Sequence, residues 1–334
     1  TALAVVRGGG FTPVRMDVPA DTTLDLVWPP APETPRIRFL RDISAPSDLG
    51  VSTSIFRRVT GILFGGSRED RIQQPYGIAV DSLQRIYVAD QSSATIRVFN
   101  PLTGEHKTYG GTNRSDFEMP VGVAVDRAGR IFVSDSRAAV VIGMEPDGDE
   151  FLRISAELLR PAGIALHPAD GLLYVVDVQR HEVLAFDMSG NLDHAFGGRG
   201  TDPGKFNFPT NIAINRDGTI YITDALNFRI QAFDAAGTPL SRFGQVGDSY
   251  GQFARPKGVG VDSEGHIYVV EGLYDAVNVF DSDGQLLLTF GRPGSDFGEF
   301  WLATGLFVDS FDRVYVADSY NGRIQVFQYL AEDG

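Results

Sequence analysis

Six acidic residues recur along this 334-residue chain, each closing a short aromatic-rich run, and they are the first candidates for chemistry. They are Asp90 in IYVAD (86–90), Asp135 in IFVSD (131–135), Asp177 in LYVVD (173–177), Asp224 in IYITD (220–224), Glu271 in IYVVE (267–271) and Asp318 in VYVAD (314–318). Converging carboxylates can do acid–base work or hold hard cations. Recurrence in every segment argues against that here, because a residue each repeat needs is part of the repeat. An Asp ending a strand is expected to accept backbone N–H bonds in the following loop. The Asp281–Gly284 turn resembles part of a calcium loop but lacks the later bidentate Glu, so it reads as a turn.

Other reactive groups are sparse. The chain has no Cys, which excludes disulfides, thiol nucleophiles, Cys-ligated zinc and covalent c-type haem attachment. Its five His (106, 167, 181, 194 and 266) fall in unlike contexts and read as isolated surface or turn residues. No nucleophile elbow, phosphate loop or HExxH pattern is present. No catalytic residue, metal ligand or cofactor is therefore expected. The net charge is −14, with residues 75–334 carrying −15 of it and residues 1–74 carrying +1. Without a basic stripe, such a surface repels phosphate backbones, so nucleic-acid binding is not expected. No apolar run is long enough for a transmembrane helix. A first residue of Thr fits removal of an upstream segment, a cleaved export signal being one of the alternatives.

The elements that position these residues are repeats. Segments open at Pro75, Pro120, Pro161, Pro209, Pro256 and Ala303, at spacings of 41 to 48 residues. Each continues through alternating apolar residues, an acidic turn, the acid-ending strand, and then a line such as IRVFN (96–100), VLAFD (183–187), IQAFD (230–234), VNVFD (277–281) or IQVFQ (324–328). The second segment is degenerate, with VIGME at 141–145. Period-two alternation broken by Asp-x-x-Gly turns marks strands and hairpins. About four strands every 40–50 residues, six times over, is the pattern of a six-bladed all-β propeller.

The line P-x-G-ϕ-A-ϕ-D…G-x-I-Y-V-x-D-x-x-N-x-R-I-x-V-F resembles the NHL repeat, best at 209–233 and 303–327, and the resemblance spans roughly 75–329. That family includes scaffolds, sensor domains and a few enzymes. The resemblance implies that first strands line a central axis, placing Ala79, Ala124, Ala165, Ala213, Gly260 and Phe307 inward. A calcium-dependent lactonase would need oxygen ligands there, and this ring is mostly methyl groups. Amidating lyases of similar build hold zinc through His just after the opening Pro. The matching residues here are Tyr76, Val121, Ala162, Thr210, Lys257 and Thr304, none of them His.

Three regions follow: an extended tail and linker at 1–35, a closing strand and short helix at 36–74, and the propeller at 75–334. The last segment shows only three strands, so alternating Arg36–Ile43 is expected to supply its outer strand and remove the exposed edge. Pro29–Pro35 reads as a stiff extended linker and residues 53–64 as an amphipathic helix. The tail could also cross to a second copy, making a homo-oligomer.

Function in a repeat ring is expected from what is not repeated. Loops after the second strand and before the first share one face, which gathers Tyr76, Arg137, Arg180, Thr210, Asn227, Phe228, Lys257, Tyr274, Asp275, Tyr320 and Asn321, with Leu273 and Trp301 beside them. Tyr and Arg favour protein contacts. The repeated Phe206, Phe253 and Phe300 are expected to pack between blades. The chain is similar to bacterial exported NHL-repeat proteins, some of which accompany multihaem c-type cytochromes. The resemblance implies an extracytoplasmic, non-catalytic scaffold with a protein partner, possible cytochromes included. The alternative is a lyase-type or lactonase-type enzyme, or a small-ligand sensor, using the same loop face.

Overall fold

A computed structural model describes residues 25–49, 71–110, 117–249 and 251–331. Within them the alternating segments form five four-stranded sheets and one five-stranded sheet, all antiparallel between neighbours. Helical content among the described residues is confined to two 3-10 turns, Pro46–Leu49 and Ala225–Asn227.

Each repeat is one sheet, laid down from the axis outward. Blade four shows the order: Pro209–Ile214 innermost, then Ile220–Asp224, Arg229–Phe233 and, outermost, Pro239–Phe243. The other innermost strands are Pro75–Val80, Pro120–Val125, Pro161–Leu166, Pro256–Val261 and Ala303–Val308. Each touches the next around the axis, the last touching the first, so the ring is closed. The chain is an all-β six-bladed propeller.

The closing strand is where alternation placed it. Ile37–Ile43 pairs outside Arg323–Tyr329, with Phe39 opposite Phe327 and Ile43 opposite Ile324. Ile37, Phe39 and Ile43 are buried while Arg38 is exposed. A fifth strand, Val27–Trp28, then pairs with Ile37 and Arg38. Pro29–Pro35 is therefore a reversing loop rather than an extended linker, and the Arg36 N–H donates to the Trp28 carbonyl at 2.7 Å. Proline presets φ for turns as readily as for extended chain, and Trp28 supplies the anchor. Its ring packs 5.8 Å from Phe327 and 5.9 Å from Phe290. The helix expected over 53–64 lies outside the described residues, as do residues 1–24 of the tail.

Between blades the core is aromatic. Phe206, Phe253 and Phe300 are fully buried, each fixed by a parallel bridge to Arg199, Val246 or Pro293. They pack 5.4, 5.5 and 5.9 Å from Phe233, Phe280 and Phe327. Burial of each such ring contributes about 2–3 kcal/mol, which makes them packing anchors. The degenerate second segment is a regular strand, Val140–Met144, in which fully buried Met144 fills the place Phe takes in other blades. An unbranched thioether adapts to that gap.

Candidate functional site

The recurring acids are built into the fold. All six are buried to 1 % exposure or less. Asp318 accepts the Trp301 N–H at 2.7 Å, the Arg323 Nε–H at 2.7 Å, the Gln325 amide at 3.1 Å and the Asn321 amide. Asp224 repeats this set with Asn207 N–H, Arg229, Gln231 and Asn227. Asp90, Asp135, Asp177 and Glu271 also accept N–H groups from the loop before the innermost strand, through Gln73, Glu118, Leu159 and Ala254. The sequence pointed only to the following loop. The carboxylate in fact ties that segment and the preceding one together, which is why every blade needs it. Asn227 and Asn321, read from sequence as loop-face contacts, are committed to these networks.

The axis encloses a cavity of about 260 Å³. The expected ring of Ala79, Ala124, Ala165, Ala213, Gly260 and Phe307 lines it, joined by Val, Ile and Leu from the same strands. Among the described residues, Tyr76 and Asn211 carry the only polar side chains of the lining. Asn211 stands where the other blades have Gly, and at Gly77 and Gly305 a Cβ would overlap a carbonyl of the next blade. Among the described residues no group of three or more His, Asp or Glu could hold a metal ion.

Two histidines differ from the surface reading. His167 and His181 are buried. His167 Nε2 lies 3.0 Å from the Gly218 carbonyl, joining blades three and four, and His181 Nδ1 accepts the Phe208 N–H at 3.0 Å. Both stitch adjacent blades.

The loop face brings the remaining candidates together with uneven roles. Arg180 is held by Glu182 at 2.8 Å and Glu157 at 3.2 Å. Phe228 is half-buried in the left-handed conformation that ends a 3-10 turn. Asp275 is half-buried and accepts the Ala303 N–H at 3.2 Å, and burial pushes its carboxyl above the usual range. The buried Thr210 hydroxyl has no partner among the described residues. Tyr76 packs on Val121, Ala162 and Val178 at the channel mouth. Its hydroxyl is pushed up by burial, against the pull of the Arg160 and Arg255 guanidinium groups. Lys257 is pushed below the usual amine range by burial and by Arg255, with Glu271 opposing.

Tyr274, Tyr320 and Trp301 are exposed, the last two at 56 % with rings 5.7 Å apart. Leu159, Phe208, Leu226 and Leu273 are exposed on the same loops. These seven form an apolar crescent over blades three to six. Leu159, Arg160, Phe208 and Arg255 escaped the sequence reading. The signal for three of them was position, since Arg160, Phe208 and Arg255 each precede a segment-opening Pro.

Comparison with known proteins agrees with this architecture. A family model described as a 6-bladed beta-propeller matches residues 164–243, and the NHL repeat model matches 300–327. No curated protein sequence matches significantly. Among solved structures, a virginiamycin B lyase from Staphylococcus aureus aligns over 88 % of this chain and 100 % of its own, at 11 % identity and TM-score 0.59. A gluconolactonase from Xanthomonas campestris aligns over 77 % and 86 %, at 19 % identity and TM-score 0.59. A chain of a nidogen/laminin complex aligns over 66 % and 81 %, at 22 % identity and TM-score 0.53. At these identities the likeness is one of fold, and that fold serves lyases, a lactonase and a protein complex.

Proposed function

Starting from a six-bladed β-propeller carrying the NHL repeat, we propose that this chain is a non-catalytic module that docks a protein partner on the loop face of blades three to six. The apolar crescent carries this reading. Leu159, Phe208, Leu226, Leu273, Tyr274, Trp301 and Tyr320 leave large apolar area in water on one face, where contiguous patches mark interaction sites. Trp and Tyr are the residue types that dominate binding energy once a partner excludes water from around them. The repeated groups below, by contrast, are consumed in holding the loops.

Following the sequence resemblance, we place the encounter outside the cytoplasm, and a multihaem c-type cytochrome is one partner to test. Among the described residues no helix is long and apolar enough to cross a membrane. The test is quantitative co-purification from the native source with wild type, a Trp301→Ala/Tyr320→Ala variant, and a Leu83→Ala control in a turn at the other end of blade one. Loss of one partner with the aromatic variant alone is expected. Equal recovery by all three overturns the reading. The competing enzyme or sensor reading predicts a stoichiometric metal or small molecule on the purified chain, which elemental analysis and mass spectrometry detect.

A further inference from the structure

Around the channel mouth on the loop face, alternate blades contribute four groups: Tyr76 from blade one, Arg160 from blade three, and Arg255 and Lys257 from blade five. Tyr76 and Lys257 are the second residues of their innermost strands, and Arg160 and Arg255 directly precede Pro161 and Pro256, so all four stand at the loop-face end of the strands that line the channel, where Tyr76 packs on Ala162. Arg160, Arg255 and Lys257 make no ion pair or side-chain hydrogen bond with any described residue. Their backbone N–H or carbonyl groups are taken by Asp177, Glu271 and Thr223, which fixes where the side chains start. Lys257 is half-buried, and its stem crosses Gly272 so closely that a Cβ there would come 3.0 Å from Lys257 Cγ.

Three cations around one opening repel each other, with buried Glu271 offsetting part of the charge of Arg255 and Lys257, and half-burying an ammonium costs solvation. Elsewhere in the protein, whose net charge is −14, buried arginines are paired: Arg97 with Asp90, Arg229 with Asp224, Arg313 with Asp309 and Arg323 with Asp318. Arg160 and Arg255 are instead exposed, and with half-buried Lys257 they gather three cations at one end of an otherwise acidic ring, a charge complement for an anion that arrives from outside. Guanidinium groups match carboxylates in bidentate geometry, and the Tyr76 hydroxyl adds a donor. Below the mouth the channel is apolar, and at its other end Arg216 of blade four reaches the Ser310 carbonyl of blade six at 2.7 Å. The apolar crescent flanks the same opening. A long phosphate backbone would also meet the acidic flanks, whereas a short acidic stretch of chain meets only the cations.

We propose that this mouth is a carboxylate-binding site, formed by Arg160, Arg255, Lys257 and Tyr76, that takes an acidic peptide segment of the docked protein. It rests on the docking reading above and specifies the chemistry at its centre. The test uses the full chain and a fluorescein-labelled Glu-rich dodecapeptide, with Gln-rich and Lys-rich dodecapeptides as controls, read by fluorescence anisotropy. The expected result is saturable binding of the Glu peptide alone, weakened about 10-fold or more by Arg160→Gln/Arg255→Gln/Lys257→Gln and weakened by added salt. Tyr76→Phe should weaken it by about 3-fold through the lost hydroxyl. Circular dichroism checks that the variants fold.

No binding of the Glu peptide, equal binding of the Gln peptide, or indifference to the triple substitution overturns the proposal. Competition by inorganic phosphate or free glutamate at the peptide's own affinity overturns the peptide assignment in favour of a small-anion site. The two readings fail separately. Partner capture that depends on Trp301 and Tyr320 but not on the three cations leaves docking standing and removes the acidic segment.

Discussion

Blades five and six are neighbours in the ring, follow nearly the same line of sequence, and place their cations in opposite ways. In blade six the cation is inside: Arg323 meets buried Asp318 at 2.7 Å, with Asn321 and Gln325 completing the shell. In blade five the equivalent Glu271 is buried without such a partner, because Ala276 and Asn278 stand at the positions of Arg323 and Gln325. Backbone N–H groups of Ala254, Arg255 and Leu273 hold it instead. Burial pushes its carboxyl above the usual range, against the pull of those bonds and of Arg255. The cations of blade five, Arg255 and Lys257, stand at the mouth. One blade uses its charge to close a loop network, and the other leaves charge available to a ligand.

Breaking the inner pair should have the largest effect. Asp318→Ala leaves Arg323 buried without its carboxylate and is expected to cost about 3–5 kcal/mol, read by urea denaturation. A loss under 1 kcal/mol would mean that backbone contacts alone hold the loops and that the blades differ only in detail.

The next effect sharpens the contrast through pH. Glu271 has a folded pKa above its unfolded value near 4.5, so the folded state binds more protons than the unfolded state over the interval between them. Its contribution to stability is therefore greatest below that interval and declines as pH rises through it. Comparing wild type with Glu271→Gln between pH 4 and 8, the stability difference should shift in favour of the variant as pH rises. A pH-independent difference would remove the asymmetry between the blades.

The smallest change is expected at the surface. Lys257→Gln removes a charge with no partner among the described residues, so stability should stay within about 0.5 kcal/mol of wild type. A loss above 1 kcal/mol would place Lys257 in the fold rather than at a binding mouth.

The ring was legible because repetition is local. Pro-x-Gly openings, alternating strands and Asp-x-x-Gly turns each encode one hairpin, and six copies admit few arrangements. The closing strand was legible for the same reason, since Arg36–Ile43 alternates as a half-buried strand must. The Pro29–Pro35 loop was not, because its direction depends on Trp28 finding Phe290 and Phe327, which are more than 260 residues away in sequence. The candidate site was legible only in part. Position along the repeat put Tyr76, Lys257, Tyr274 and Tyr320 on the loop face, but could not tell that Asn227 and Asn321 turn inward to a carboxylate or that Arg160 and Arg255 stand exposed.

By itself, then, the sequence determined the number of blades, their internal strand order and the structural meaning of the recurring acids, because each follows from period and spacing within about 45 residues. Only the tertiary structure decided which charges are neutralised and which remain open. That depends on side chains from blades one, three and five meeting around an axis, and distance along the chain says nothing about distance across a ring.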